Sequence, residues 1–328
     1  MNTSHKLTAV ALASALIGAQ PAIAGNLTLG AAGIFADEMG VSAGSLEAIL
    51  VQLQMAGFVK DAGAANRIVG GDILRALSQE IPAAVCHLHN NVDVEEAAEL
   101  LSHSVEVFDV VADALLHGNE ELGIIGAEQH RKTIVELEQL IADWQPVHDA
   151  ALAVLADPGD AASAEIVYGS SEPMYEKTYH LLANLEGEYS NPSEVLASDV
   201  MLLEIVGRMA AMNQRLAFDA CMVWSHTGDG HHADDLLETM SIYENSLTAL
   251  TVGMPALGIA PPPTEEIAAK LAEVGAMWRD CHDLLARIAA GEETTLAERG
   301  ALYHDLAAKL HAVEALEEMY QDYAKRIY

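Results

Sequence analysis

Nine arginines stand among 49 acidic side chains in this 328-residue chain, so where each one falls carries information. Four of them, Arg67, Arg75, Arg208 and Arg215, sit in two segments of helical periodicity. A guanidinium is planar and permanently charged, and its fork can donate two hydrogen bonds to a planar oxyanion. It can equally pair with a carboxylate on its own helix. Asp72 lies three residues before Arg75, Glu204 four before Arg208 and Asp219 four after Arg215, all spacings at which side chains meet on one helix face. Gln79 and Gln214 each follow a small polar residue, Ser78 or Asn213. An amide there can hold a ligand or tie helices together, and the second role is the expected one.

Histidine supplies the other constellation: His87 and His89 beside Cys86, and His226, His231 and His232 after Met212, Cys221 and Met222. Imidazole, thioether and thiol together suit copper or zinc. The spacing matches no metal motif, and a solvated interhelix loop explains the histidines as well, so no metal is assigned. A phosphate-binding glycine loop, His-Glu-x-x-His and the paired Glu-x-x-His of di-iron bundles are all missing. Neither an enzyme activity nor a cofactor is expected.

The elements that carry these residues occur twice. An offset of 135 aligns Gln79 with Gln214, Cys86 with Cys221, Phe108 with Tyr243, Leu115 with Leu250 and Gly118 with Gly253. Gly123-Ile124 meets Gly258-Ile259 at the same offset, and Trp144 meets Trp278 at 134. The segment from His180 to Tyr189 aligns with that from His311 to Tyr320 at 131. A repeat this long is a small domain rather than a solenoid unit. Helical periodicity dominates, with aromatics at only 5%. Four helices are expected in each copy: 58–90, 93–117, 127–156 and 160–190, then 192–226, 230–252, 264–290 and 295–326. Asp93 with Glu96, Asn191 with Glu194 and Thr295 with Glu298 have the spacing of N-terminal capping pairs. Gly118 and Gly253 suit C-caps, and Gly71 and Gly207 suit close helix approach at a dyad. The predicted fold is all-α, two tandem up-and-down four-helix bundles arranged as a pseudo-dimer.

Lys6, the apolar run Leu7 to Ile17 and Ala22-Ile23-Ala24 read as a signal peptide cleaved after Ala24, too short to span a bilayer. Residues 1–24 are thus a signal peptide and 25–56 a leader. Residues 57–190 form the first domain and 191–328 the second. The expected location is periplasmic, without a membrane span. A net charge of −33 opposes nucleic-acid binding. Cys86 and Cys221 are equivalent and would approach each other if the copies pack about a dyad with these helices facing; two separately buried thiols are the alternative and the preferred reading. Cys281 matches Val147.

The segments Gly71-Asp72-Ile73-Leu74-Arg75-Ala76-Leu77-Ser78-Gln79-Glu80-Ile81 and Val206-Gly207-Arg208-Met209-Ala210-Ala211-Met212-Asn213-Gln214-Arg215-Leu216 resemble the Ala-Gly-Arg-Gln-Arg-Met-Leu-Ser-Gln-Arg-Ile signature of the PilJ-type domain. That domain is the N-terminal region of type IV pilus chemotaxis transducers, and it is similar to the periplasmic four-helix sensor of nitrate/nitrite-responsive histidine kinases. The resemblance spans roughly 57 to 325. It implies a small anion, nitrate or nitrite, clamped between the first helices by the central arginine of each subunit. Arg75 matches that arginine, but its second-copy partner is Ala210. Arg208 and Arg215 match the flanking arginines, whose first-copy counterparts are Ile73 and Glu80. The implied ligand set is Arg75, Gly71, Gln79, Arg208, Gln214 and Arg215, in a sensor-type protein that signals through a membrane sensor or transporter component. A ligand-free interaction module and a periplasmic metal-binding protein are the alternatives.

Overall fold

A computed structural model describes residues 62–189, 197–227, 230–255 and 259–326. The signal peptide, the leader and the domain boundary at Asn191-Pro192, with its capping pair, lie outside them. The described chain is all-α. Helices α1 (Ala62–His89), α2 (Val94–His117), α3 (Arg131–Ala156) and α4 (Ala161–Tyr189) are followed by α5 (Ala197–Ser225), α6 (His232–Val252), α7 (Glu265–Ala289) and α8 (Leu296–Arg326). None of these helices is long and apolar enough to cross a membrane. Consecutive helices pack together, α1 closes against α4 and α5 closes against α8, giving two rings of four. The rings meet chiefly through their first helices, α1 against α5.

Several core contacts recur in both copies. Phe108 stacks on Trp144 at 4.1 Å between ring centroids, and Tyr243 stacks on Trp278 at 4.7 Å. The indole N–H of Trp144 donates to Asp109 (2.6 Å) and that of Trp278 to Glu244 (3.2 Å). His148 and His282 flank the same carboxylates at 3.2 and 3.3 Å. Such buried stacks contribute about 0.5–1.5 kcal/mol beyond the area they hide. After each second helix a glycine with φ of 84° or 80° turns the chain into a one-bridge ladder, Asn119 with Ile124 and Met254 with Ile259. A Cβ on Gly118 would lie 2.6 Å from the Gly126 backbone, and one on Gly253 would lie 2.9 Å from Pro261 N, so no other residue fits either turn.

Two expectations about local structure need correcting. Asp93 has a left-handed backbone (φ 44°) and its side chain caps nothing; with Glu96 it faces His304 instead, at 3.6 and 3.7 Å. The Thr295/Glu298 pair does form the reciprocal cap, Thr295 N–H to the Glu298 carboxylate (2.8 Å) and Glu298 N–H to Thr295 Oγ1 (3.2 Å). Cys86 and Cys221 are not separate thiols: they form a disulfide between α1 and α5, with Cα atoms 6.1 Å apart, and both are fully buried. The pairing also removes the thiols from the histidine and sulfur cluster. His87 has meanwhile left the surface, its Nδ1 against Ala83 O (2.7 Å) and its ring packed on Tyr303 and Trp224.

Candidate functional site: an open groove between the repeats

Four helices from both copies wall a groove of about 370 Å³. Helix α4 presents Glu172, Tyr175 and Tyr179, spaced three and four apart and therefore on one face. Helix α5 presents Arg208, Ala211, Met212 and Arg215 in the same rhythm. Asp235, Glu238, Thr239 and Ile242 come from α6, and Gln79 from α1. The volume is in the range of small-molecule sites.

The sequence-equivalent positions of the other copy have different chemistry. At offset 135, Arg215 becomes Glu80, Thr239 becomes Ser104, Arg208 becomes Ile73 and Gln79 becomes Gln214; at 131, Tyr175 and Tyr179 become Leu306 and Leu310. There Glu80, 2% exposed, accepts from Ser104 Oγ (2.6 Å) and from Gln214 Nε2 (2.8 Å), while Leu306 and Leu310 are buried. Those positions thus hold a hydrogen-bonded buried carboxyl and two buried leucines. On the open side, an arginine and two tyrosines replace a glutamate and two leucines.

The sequence-predicted residues therefore separate. Gln79, Arg208 and Arg215 line the groove, whereas Gln214 is consumed by Glu80 across the interface. Gly71 faces α4, where a Cβ would lie 2.8 Å from Leu185, so its role is helix packing within the first copy and not at the dyad. Gly207 does serve the interface: its missing side chain leaves room for the Arg75 guanidinium, 3.3 Å from where a Cβ would be. Arg75 is 6% exposed, donates to Asp72 (2.6 Å) and leaves its Nε without a hydrogen-bond partner. Arg208 pairs with Glu204 (2.7 Å). Arg215 reaches Glu172 of the other copy (2.5 Å) and Asp219 of its own helix (3.5 Å). Arg67 lies outside this group: it is buried and ties α1 to the turn after α2, donating to Leu115 O (2.7 Å) and Gly126 O (2.5 Å).

Tyr175 is the residue that sequence reasoning missed. Burial pushes its phenol up, and the positive fields of Arg75, Arg208 and Arg215 all oppose that shift. The Tyr175/Tyr179 spacing on α4 was a usable signal, because the aligned residues in the other copy are leucines. Gln79 is held structurally as well: its Nε2 donates to Ser78 O (3.3 Å), deprived of its helical donor by Pro82, and to Ser171 O on α4 (3.2 Å). Its Oε1 accepts no bond and is free to receive one.

Glu80 gives a pH-dependent handle on this buried position. Burial pushes its carboxyl up to about 7 against a usual value of 4.5, with the Ser104 and Gln214 hydrogen bonds pulling the other way. Between these values the folded protein holds a proton that the unfolded chain has lost. This group's contribution is thus present below about 4.5 and is lost as pH rises through 7. Glu80→Gln is expected to gain about 2–3 kcal/mol relative to the parent between pH 5 and pH 7.5, read as the difference of two urea-unfolding series. Parallel series would show that Glu80 is ionised in the folded protein throughout.

No protein-family model matches the chain, and no curated protein or solved structure is significantly similar to it.

Proposed function

We propose that the open groove is the receptor site of an exported sensor-type protein for a small oxyanion, with nitrate and nitrite the first candidates, and that the two repeats act as a pseudo-dimer around it. One observation carries this reading: Arg208 and Arg215 line one groove with Tyr175 and Tyr179, where the aligned positions of the other copy are Ile73, Glu80, Leu306 and Leu310. The resemblance of the α1 and α5 segments to PilJ-type sensors supports it, with the centre of the site moved from Arg75 to Arg208 and Arg215. Each arginine already has a carboxylate partner, but Glu172 and Glu204 are half-exposed. Exposed pairs of this kind are worth about 0–1 kcal/mol. A ligand oxyanion can therefore displace them, while the remaining rim acids, Asp235 and Glu238, disfavour large polyanions. A buried disulfide between the repeats supports export to an oxidising compartment. The occupied site would be read by a contacting membrane sensor or transporter component.

Isothermal titration with nitrate, nitrite and sulfate tests the ligand. Removing a hydrogen-bonded charge costs about 1.5–3 kcal/mol, so Arg208→Ala and Arg215→Ala should each weaken binding by roughly tenfold or more. Arg75→Ala should act more weakly on affinity and more strongly on stability. Absence of binding by all three anions at millimolar concentration, or binding indifferent to every arginine, would leave the bundle as an interaction module.

A further inference from the structure

Beside the groove, three donors from two helices come together. Asp219 of α5 and His232 and Asp235 of α6 each place one ligand atom within 4.8 Å of the other two. His232 and Asp235 are three apart in the first turn of α6 and share a face. His232 Nδ1 lies 3.4 Å from Asp219 Oδ1, and Phe218 packs edge-on against the imidazole at 5.6 Å. The Asp219 side chain is only 3% exposed, yet its Oδ2 accepts no hydrogen bond; Arg215 Nε stands 3.5 Å from it, an ion pair without hydrogen-bond geometry. A buried carboxylate oxygen normally has a partner, and one that lacks it calls for an explanation.

We infer that Asp219, His232 and Asp235 form a binding site for one divalent transition-metal ion of the zinc or manganese type. Two carboxylates and an imidazole are the donor set for such ions; the imidazole argues against calcium and magnesium, and the lack of sulfur argues against copper(I). Ligands about 2.0–2.2 Å from a tetrahedral ion stand roughly 3.4 Å apart, so a donor triangle with sides up to 4.8 Å has to contract by up to about 1.4 Å a side. Asp235 also lines the groove, so the coordination positions not taken by protein open towards it. Of the histidines singled out from the sequence, only His232 enters this site, and its partners are carboxylates rather than cysteine or methionine.

The test is titration of the chelator-treated full chain with Zn²⁺, in millimolar Mg²⁺ to occupy scattered surface carboxylates. One equivalent should bind. His232→Gln and Asp235→Asn, both at partly exposed positions, should each weaken it at least about tenfold. Co²⁺ in the same site should give visible d–d absorption that His232→Gln abolishes. Circular dichroism of each variant separates lost ligation from lost folding. No binding at micromolar zinc would overturn the assignment. So would binding unchanged in both folded variants, which would place the metal on surface acids. The outcome is independent of which anion, if any, occupies the groove.

Discussion

Removing the Cys86–Cys221 disulfide should destabilise the protein by about 2–5 kcal/mol. The bond closes a loop of 135 residues between α1 and α5, and the chain-entropy model gives about 5 kcal/mol for a loop of that length, as a ceiling. The effect should exceed that of most core substitutions, because the bond also fixes the contact through which the two rings meet. Both sulfurs are buried in the α1/α5 seam, next to Met222 and the Asn90 side chain. Cys86→Ala/Cys221→Ala should therefore lower the urea midpoint with little change in helicity at zero denaturant, since the apolar core that runs through both rings stays packed. Thiol counting supplies the direct check. Denatured, unreduced protein should alkylate once, at the free Cys281, and three times after reduction. Three alkylations without reductant would mean that the bond does not form.

The repeat made much of this architecture legible. Equivalent Trp, Phe/Tyr and acidic positions at offsets of 134 and 135 are the stacked and hydrogen-bonded pairs of the two cores, and helix punctuation placed the eight helices within a few residues of their ends. Gly118 and Gly253 were readable because only glycine tolerates their backbone angles. Asp93 was not, because a capping pair is a local pattern and its carboxylate is drawn off by His304 from the other repeat. The site itself was half legible. Side-chain spacing showed which arginines share a helix, but the partners of the aligned positions are tertiary: Glu80 with Gln214, and Arg215 with Glu172. A motif match centred on Arg75 could not register that Asp72 and Gly207 hold this guanidinium inside the interface.

The second core holds the other large effect. Lys309 is fully buried, its Nζ has no hydrogen-bond acceptor, and it lies 4.1 Å from the Tyr243 ring centroid and 4.4 Å from that of Trp278. Its place on the stripe Leu302, Leu306, Val313, Leu316, Tyr320 was visible in the sequence as an i+3/i+4 position. In the first copy the aligned residue is Thr178, whose hydroxyl is satisfied by the Met174 and Tyr175 carbonyls. Desolvation pushes the amine down to about 7 from 10.5, with the field of Cys281 pulling the other way; the aromatic faces favour the ammonium in addition. The unfolded chain thus binds a proton that the folded one lacks between about pH 7 and 10.5. Stability should rise with pH across that window, and the full cost is present below it. Lys309→Met keeps the volume and removes the amine, so it should stabilise the protein at pH 7 by up to about 4 kcal/mol and abolish its share of the slope between pH 7 and 10. The difference between parent and variant unfolding curves isolates this group from Cys281 and the tyrosines that titrate nearby. If the variant is instead less stable at pH 7 and the slope persists, the lysine is charged in the folded state and the Tyr243/Trp278 faces hold it as a cation.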